Sequence, residues 1–142
     1  MKIYFSCSLT GGRNDQPTYA AVVDWMLAHG HKVLTAHLAQ PEVMAEEVTI
    51  RPEVVYARDI AWLDEADALV ADVTTPSHGV GYEIAYAILS GKRVLCVARE
   101  GVKVSKMITG NPRLTFGRYE DAEQAAQVVA RFLGRGAEDR FA

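Results

Sequence analysis

The sequence predicts a three-layer α/β domain: a five-stranded parallel sheet in the order 2-1-3-4-5, with helices on both faces. Three observations carry this. Apolar runs of strand length alternate along the chain with segments of helical spacing, the pattern of parallel βαβ units. The stronger strand candidates are near-continuous apolar runs, as expected of strands covered on both faces. Right-handed crossovers between successive strands then restrict the order to the doubly wound kind.

The elements follow in turn. The first strand is "KIYFSCS" (2–8). A helix runs from about Pro17 to His29; proline suits the first helical position and Gly30 the stop, and Tyr19, Val22, Val23, Met26 and Leu27 follow helical spacing. "KVLTAHL" (32–38) reads as the second strand, and the connection 41–51 leaves room for a short helix. A second helix, about 52–66, again opens at a proline. "ALVADVT" (68–74) is the third strand, followed by a helix over about 79–90 that stops at Gly91. "RVLCVA" (93–98) and the weaker "LTFGRY" (114–119) supply strands four and five. A last helix, about 120–133, is expected to end at Gly134, so that 1–134 forms one domain and "RGAEDRFA" (135–142) a frayed tail. This is a flavodoxin-like, Rossmann-like three-layer sandwich.

Composition bounds the function. At 142 residues the chain is one domain's worth and buries enough surface to fold without staples. A net charge of −3 with no basic stripe excludes the electrostatic footprint of a nucleic-acid binder. The two cysteines, Cys7 and Cys96, lie inside apolar runs and read as small buried hydrophobes. The first residues are already strand-like and too polar for a signal peptide, and no run approaches the ~18 apolar residues of a membrane span. The expectation is a cytoplasmic protein without a membrane partner.

Open parallel sheets bind ligands beyond the carboxyl ends of their strands. The loop after strand one carries Ser8, Gly11, Gly12 and Arg13: glycines that let backbone N–H groups approach a ligand, and a guanidinium fork suited to phosphate. A plain turn has the same composition. The loop after strand three, Pro76–Gly81, opens a helix, where Ser77 and the free N–H groups suit an oxyanion or simply cap the helix. His78 reads as an exposed loop histidine. No His/Cys/Asp cluster has metal-ligand spacing, so neither a metal nor a cofactor is expected.

Two carboxylates stand out. Glu83 falls in what reads as the first turn of the helix after strand three. The macrodipole favours an acidic residue there and keeps it ionised, and an ionised carboxylate is a nucleophile. Asp59 lies near the centre of an apolar arc formed by Val55, Tyr56, Leu63 and Ala66, with Arg58 on the other side. Burial there raises its pKa, which suits a general acid; a buried aspartate that bridges locally gives the same pattern. One ionised and one protonated carboxyl group form the pair used in glycosidic bond cleavage.

The pattern "YFSCSLTGGR … ARDIAWLDEADALVADVTTPSHGVGYEIAYAILSGKRVLCV … VSKMITG" resembles the 2′-deoxynucleoside 5′-phosphate N-hydrolases of the nucleoside 2-deoxyribosyltransferase superfamily, over Lys2 to about Phe132. The resemblance implies cleavage of the N-glycosidic bond of a nucleoside 5′-monophosphate to a free base and a 5-phospho sugar. It implies that Glu83 is the nucleophile, that Asp59 protonates the departing base, and that Tyr4 stands beside nucleophile and sugar. Ser8, Gly11, Gly12, Arg13, Ser77 and Gly79 match the 5′-phosphate pocket, and His37 matches a histidine on the base side. Ser105 and Met107 match residues that reach into a neighbouring subunit's pocket, which implies a homodimer with composite sites. Base exchange between deoxynucleosides is the second reading, and a nucleotide-binding module without catalysis the third.

Overall fold

The computed structural model describes residues 1–9, 15–43 and 47–138. Five strands, β1 (Lys2–Ser6), β2 (Lys32–Val33), β3 (Ala68–Asp72), β4 (Arg93–Arg99) and β5 (Thr115–Tyr119), form one parallel sheet in the order β2-β1-β3-β4-β5. The helices are α1 (Gln16–Ala28), α2 (Pro52–Glu65), α3 (His78–Leu89), α4 (Lys106–Thr109) and α5 (Ala122–Glu138), with a 3-10 turn at Ala36–Ala39. The expected order and three-layer architecture are both present.

The strand period of two divides the core between the faces. Ile3, Phe5, Val70, Leu95 and Val97 point to one side, where Val22, Val23 and Met26 of α1 meet Ala125, Val129 and Phe132 of α5. Tyr4, Leu69, Ala71, Val94 and Cys96 point to the other, against Leu63 of α2 and Val80, Ile84 and Ala87 of α3. Helix ends follow the expected chemistry. Proline opens α1 and α2, Ser77 caps α3, and Gly30 and Gly91, at φ of 83° and 77°, turn the chain after α1 and α3 in the left-handed region that favours glycine.

Two expectations are corrected. The second strand is two residues long, not seven. Leu34 N still donates to Ile3 O, but the next pairing position is taken by a side chain: Thr35 Oγ1 accepts from Phe5 N at 2.8 Å and donates to Phe5 O at 2.6 Å. Thr35 thus satisfies both backbone groups of Phe5, and the chain turns away into the 3-10 segment that carries His37. At the other end α5 passes Gly134 and continues to Glu138, four residues into the segment read as tail. In the 41–51 connection, Val43 and Glu47 have helical backbone, while 44–46 lie outside the described residues.

The carboxyl ends of the strands are tied by a buried polar cluster. Tyr119 Oη donates to Asp72 Oδ2 at 2.6 Å, Thr74 N donates to Asp72 Oδ1 at 2.9 Å, and Arg99 N donates to Thr74 Oγ1 at 3.0 Å. Arg99 also pairs with buried Asp15, where the chain enters α1. These bonds fix the floor on which the loops of the ligand-binding end stand.

Candidate active site

β1 and β3 are neighbours although their connections leave in opposite directions, to β2 on one side and β4 on the other. That divergence opens a crevice at the carboxyl ends of the strands. Tyr4 and Ser6 enter it from β1, Glu83 from α3 and Asp59 from α2.

Glu83 is the sixth residue of α3, not a first-turn residue, because the helix begins at His78. The macrodipole fades beyond the first turn, and burial decides the protonation instead. Burial, reinforced by the charge of Asp59, raises the Glu83 carboxyl to about 7, while the hydroxyls of Tyr4 and Ser6 pull it down and lose. The expected dipole-ionised glutamate is therefore a carboxyl group poised near neutrality. Tyr4 is fully buried, and burial followed by the charges of Glu83 and Asp59 drives its pKa far up, so it stays a neutral hydroxyl. Tyr4 Oη, Ser6 Oγ and Glu83 Oε2 are buried together, with the two hydroxyls turned to the Glu83 carboxyl.

Asp59 is raised as expected, with burial the largest cause. Its surroundings differ from the expected apolar arc. Tyr56 is 58% exposed, and Arg58 turns back onto Asp59 with Nε 2.9 Å from Oδ1. Arg58 Nη2 also reaches Glu47 Oε1 at 3.1 Å, and His37 Nε2 meets the same oxygen at 3.1 Å. Trp62 lies beneath both, its ring 4.9 Å from the Arg58 guanidinium carbon and 5.6 Å from the His37 ring. His37 therefore joins the Asp59 neighbourhood through Glu47 and Arg58.

A cavity of about 340 Å³ between α2 and α3 is lined by Tyr56, Asp59, Ile60, Tyr82 and Glu83, with Gly79 at its edge. A Cβ on Gly79 would stand 3.6 Å from Glu83 Oε1 and 3.9 Å from Ser77 Oγ, so the backbone at 79 passes between the two. Ser77 Oγ accepts from Val80 N at 3.3 Å as the helix cap, which leaves its hydrogen free to donate. A second cavity, about 470 Å³, lies on the other side of Ser77 and is lined by Pro76, Lys103, Ser105 and Met107. Ser105 caps α4 through Met107 N at 3.2 Å, and Met107 is 84% exposed. Ser8 is fully buried beyond the end of β1; Gly11, Gly12 and Arg13 lie outside the described residues. Among the described residues no group of three or more His, Cys, Asp or Glu side chains is placed to hold a metal ion.

Sequence reasoning missed Ser6, Glu47, Arg58 and Trp62. Ser6 was accessible to it: positions 4, 6 and 8 share one face of a strand. The Glu47–Arg58 pair joins residues 11 apart through tertiary packing and has no sequence signature.

Residues 3–133 match the family model described as nucleoside 2-deoxyribosyltransferase. Over 137 residues the chain is 44% identical to the 5-hydroxymethyl-dUMP N-hydrolase of Mus musculus, covering 94% of this chain and 78% of the relative. It is 39% identical to the enzyme of the same name from Homo sapiens, at 92% and 78% coverage. Among solved structures, a CMP N-glycosidase from Clostridium botulinum superposes with a TM-score of 0.67 over 92% of this chain and 99% of its own, at 15% identity, a likeness of fold.

Proposed function

The chain belongs to the nucleoside 2-deoxyribosyltransferase family, and from that membership we propose that it hydrolyses the N-glycosidic bond of (2′-deoxy)nucleoside 5′-monophosphates. The products are a free base and a (2-deoxy)ribose 5-phosphate. The observation that carries the reading is the buried cluster of Glu83, Tyr4 and Ser6, with the Glu83 carboxyl raised to about 7 and feeling the charge of a raised Asp59. The names of the mouse and human relatives give the reaction class.

The mechanism is a retaining double displacement. The bond to the base breaks as positive charge develops at the anomeric carbon, and that charge favours the ionised form of Glu83. Glu83 closes on the carbon to form a glycosyl ester. Asp59 delivers its proton to the leaving base and then takes one from the water that opens the ester. Tyr4, too high in pKa to ionise, donates a hydrogen bond to the nucleophilic carboxylate and holds it in line. The pair needs one proton between them, on Asp59, with Glu83 ionised. The charge of Asp59 raises Glu83, so a protonated Asp59 eases the ionisation of Glu83.

The phosphate end rests on the start of α3, on Ser77 and the backbone at Gly79, joined by Ser8, Gly11, Gly12 and Arg13 from the first loop. His37, with Trp62, forms the base side. The second copy of a homodimer covers the exposed Met107, Leu89 and Tyr82, at 84%, 78% and 55% exposure, and brings Ser105 and Met107 to its partner's pocket. Nucleotide pools and the two free buried cysteines fit a cytoplasmic setting, and among the described residues no helix is long and apolar enough to cross a membrane.

The test is a panel of ribo- and deoxynucleoside monophosphates and their parent nucleosides, assayed for base release with and without a second free base. Turnover of monophosphates with weak turnover of nucleosides supports the reading. Equal rates for both remove the phosphate site, and formation of a new nucleoside moves the assignment to base exchange.

A further inference from the structure

A concentration of positive charge lies away from this crevice, along β5, the outer strand of the sheet. A cavity of about 440 Å³ opens there beneath α5, lined by Arg93, Arg113, Arg118 and Arg131. Among the described residues none of the four lies within 4.0 Å of a carboxylate oxygen, although the chain as a whole carries −3. Positive charge thus lines this concavity, against the overall sign of the molecule.

Three of the guanidinium groups are held in place. Arg93 Nη2 donates to Phe132 O at 2.6 Å, and its guanidinium carbon stacks 4.4 Å from the Phe132 ring. Arg113 Nη2 donates to Ile88 O at 3.1 Å. Arg118 Nη1 donates to Arg99 O and Val102 O at 3.1 and 2.9 Å, over the Phe116 ring at 5.3 Å. A guanidinium has five donors, so carbonyl bonds of this number leave most of them available. Carbonyl acceptors orient the groups without neutralising them. Gly117 forms part of the lining; a Cβ there would lie 2.6 Å from Val128 Cγ1, so α5 packs onto β5 with no side chain between.

We propose that this cavity is a second anion site, separate from the nucleotide crevice, and that it takes an oligophosphate group. Arginine forks match phosphate oxygens two at a time, and several forks around one cavity outnumber what a single phosphate can accept. The volume is that of a small-molecule site, within the roughly 300–1,000 Å³ range. Arg93, Arg113 and Arg131 border the concavity, while Arg118 turns to the other face of the sheet over Phe116, and three charges around one cavity favour a compact polyanion over an extended acidic peptide. The oligophosphate is free or carried by a nucleoside, and the probes distinguish these.

The experiment titrates full-length protein with inorganic tripolyphosphate, and separately with ATP, at ~0.15 M salt. The arginine Nε–H signals are followed by NMR. The expected result is saturable shifts of Arg93, Arg113 and Arg131, with affinity reduced about tenfold or more in Arg113→Gln/Arg131→Gln, a loss of about 1.4 kcal/mol or more. The single variant Arg131→Gln, at an exposed position, weakens binding in the same direction. Base release from a monophosphate, without oligophosphate present, stays unchanged in both variants. Tighter binding of ATP than of tripolyphosphate identifies a nucleotide ligand; equal binding identifies the phosphate chain alone. Linear, unsaturated drift of the arginine signals, or saturable binding that the double variant leaves unaltered, overturns the proposal without touching the hydrolase reading.

Discussion

Replacing Glu83 with glutamine separates what this residue does for folding from what it does for chemistry. In the folded chain its carboxyl titrates at about 7, against an ordinary 4.5, because it is buried. The difference, 7 − 4.5, is about 2.5 units, and at about 1.36 kcal/mol per unit this is roughly 3 kcal/mol. The sign follows from linkage. A raised folded-state pKa means that the neutral group's contribution is complete below about pH 4.5 and is lost as pH rises toward 7. Above that the folded protein holds a buried carboxylate at full cost. Glutamine has nearly the same shape and never ionises. Urea unfolding of both proteins at pH 4, 6 and 8.5 is the assay. The stability of Glu83→Gln relative to wild type should climb by about 3 kcal/mol between the acid and alkaline ends, with the slope between pH 4.5 and 7. Turnover is nearly abolished in the same variant. A pH-independent difference, or a variant less favoured at pH 8.5 than at pH 4, refutes the claim that burial governs this carboxyl.

Three further predictions follow from the same contacts. In the pH–rate profile, kcat/KM for a poorly leaving base should fall on the alkaline side as Asp59, raised above the ordinary carboxylate range, loses its proton, while an activated base should show no such fall; equal profiles for the two bases contradict this. Asp59→Asn should slow release of poor leaving bases by about 10²–10⁴-fold and activated ones far less, and equal losses for both, measured by base release, remove Asp59 as the acid. Thr35→Val leaves Phe5 N–H and C=O without their partner at the sheet edge, and should cost about 1–3 kcal/mol in urea unfolding; an unchanged midpoint means that another group replaces the threonine.

The sheet order was legible because the stronger strands announce themselves as near-continuous apolar runs and each crossover has one favoured hand. The length of β2 was not, because "KVLTAHL" has strand composition throughout and only the position of Phe5 in three dimensions tells Thr35 to bond sideways. The two carboxylates were legible as chemistry-bearing residues from their places on helices at the ligand end of the sheet. Their protonation was half legible. Asp59 is raised by burial as its place in the arc suggests, but Glu83 was assigned to a dipole that acts one turn earlier, and its burial depends on Tyr4 and Ser6 arriving from a strand 77 or more residues upstream. Arg58 shows the same limit. Helical phase placed it away from Asp59, and a long, flexible side chain drawn by Glu47 brought it back.

The most direct test of the central assignment is mass spectrometry of denatured enzyme, quenched during turnover of a 2′-deoxynucleoside 5′-monophosphate. A retaining double displacement through Glu83 predicts a deoxyribosyl-phosphate ester on the peptide that contains Glu83, formed in wild type and absent in Glu83→Gln. An adduct on another residue, or steady base release by Glu83→Gln at the wild-type rate, contradicts it.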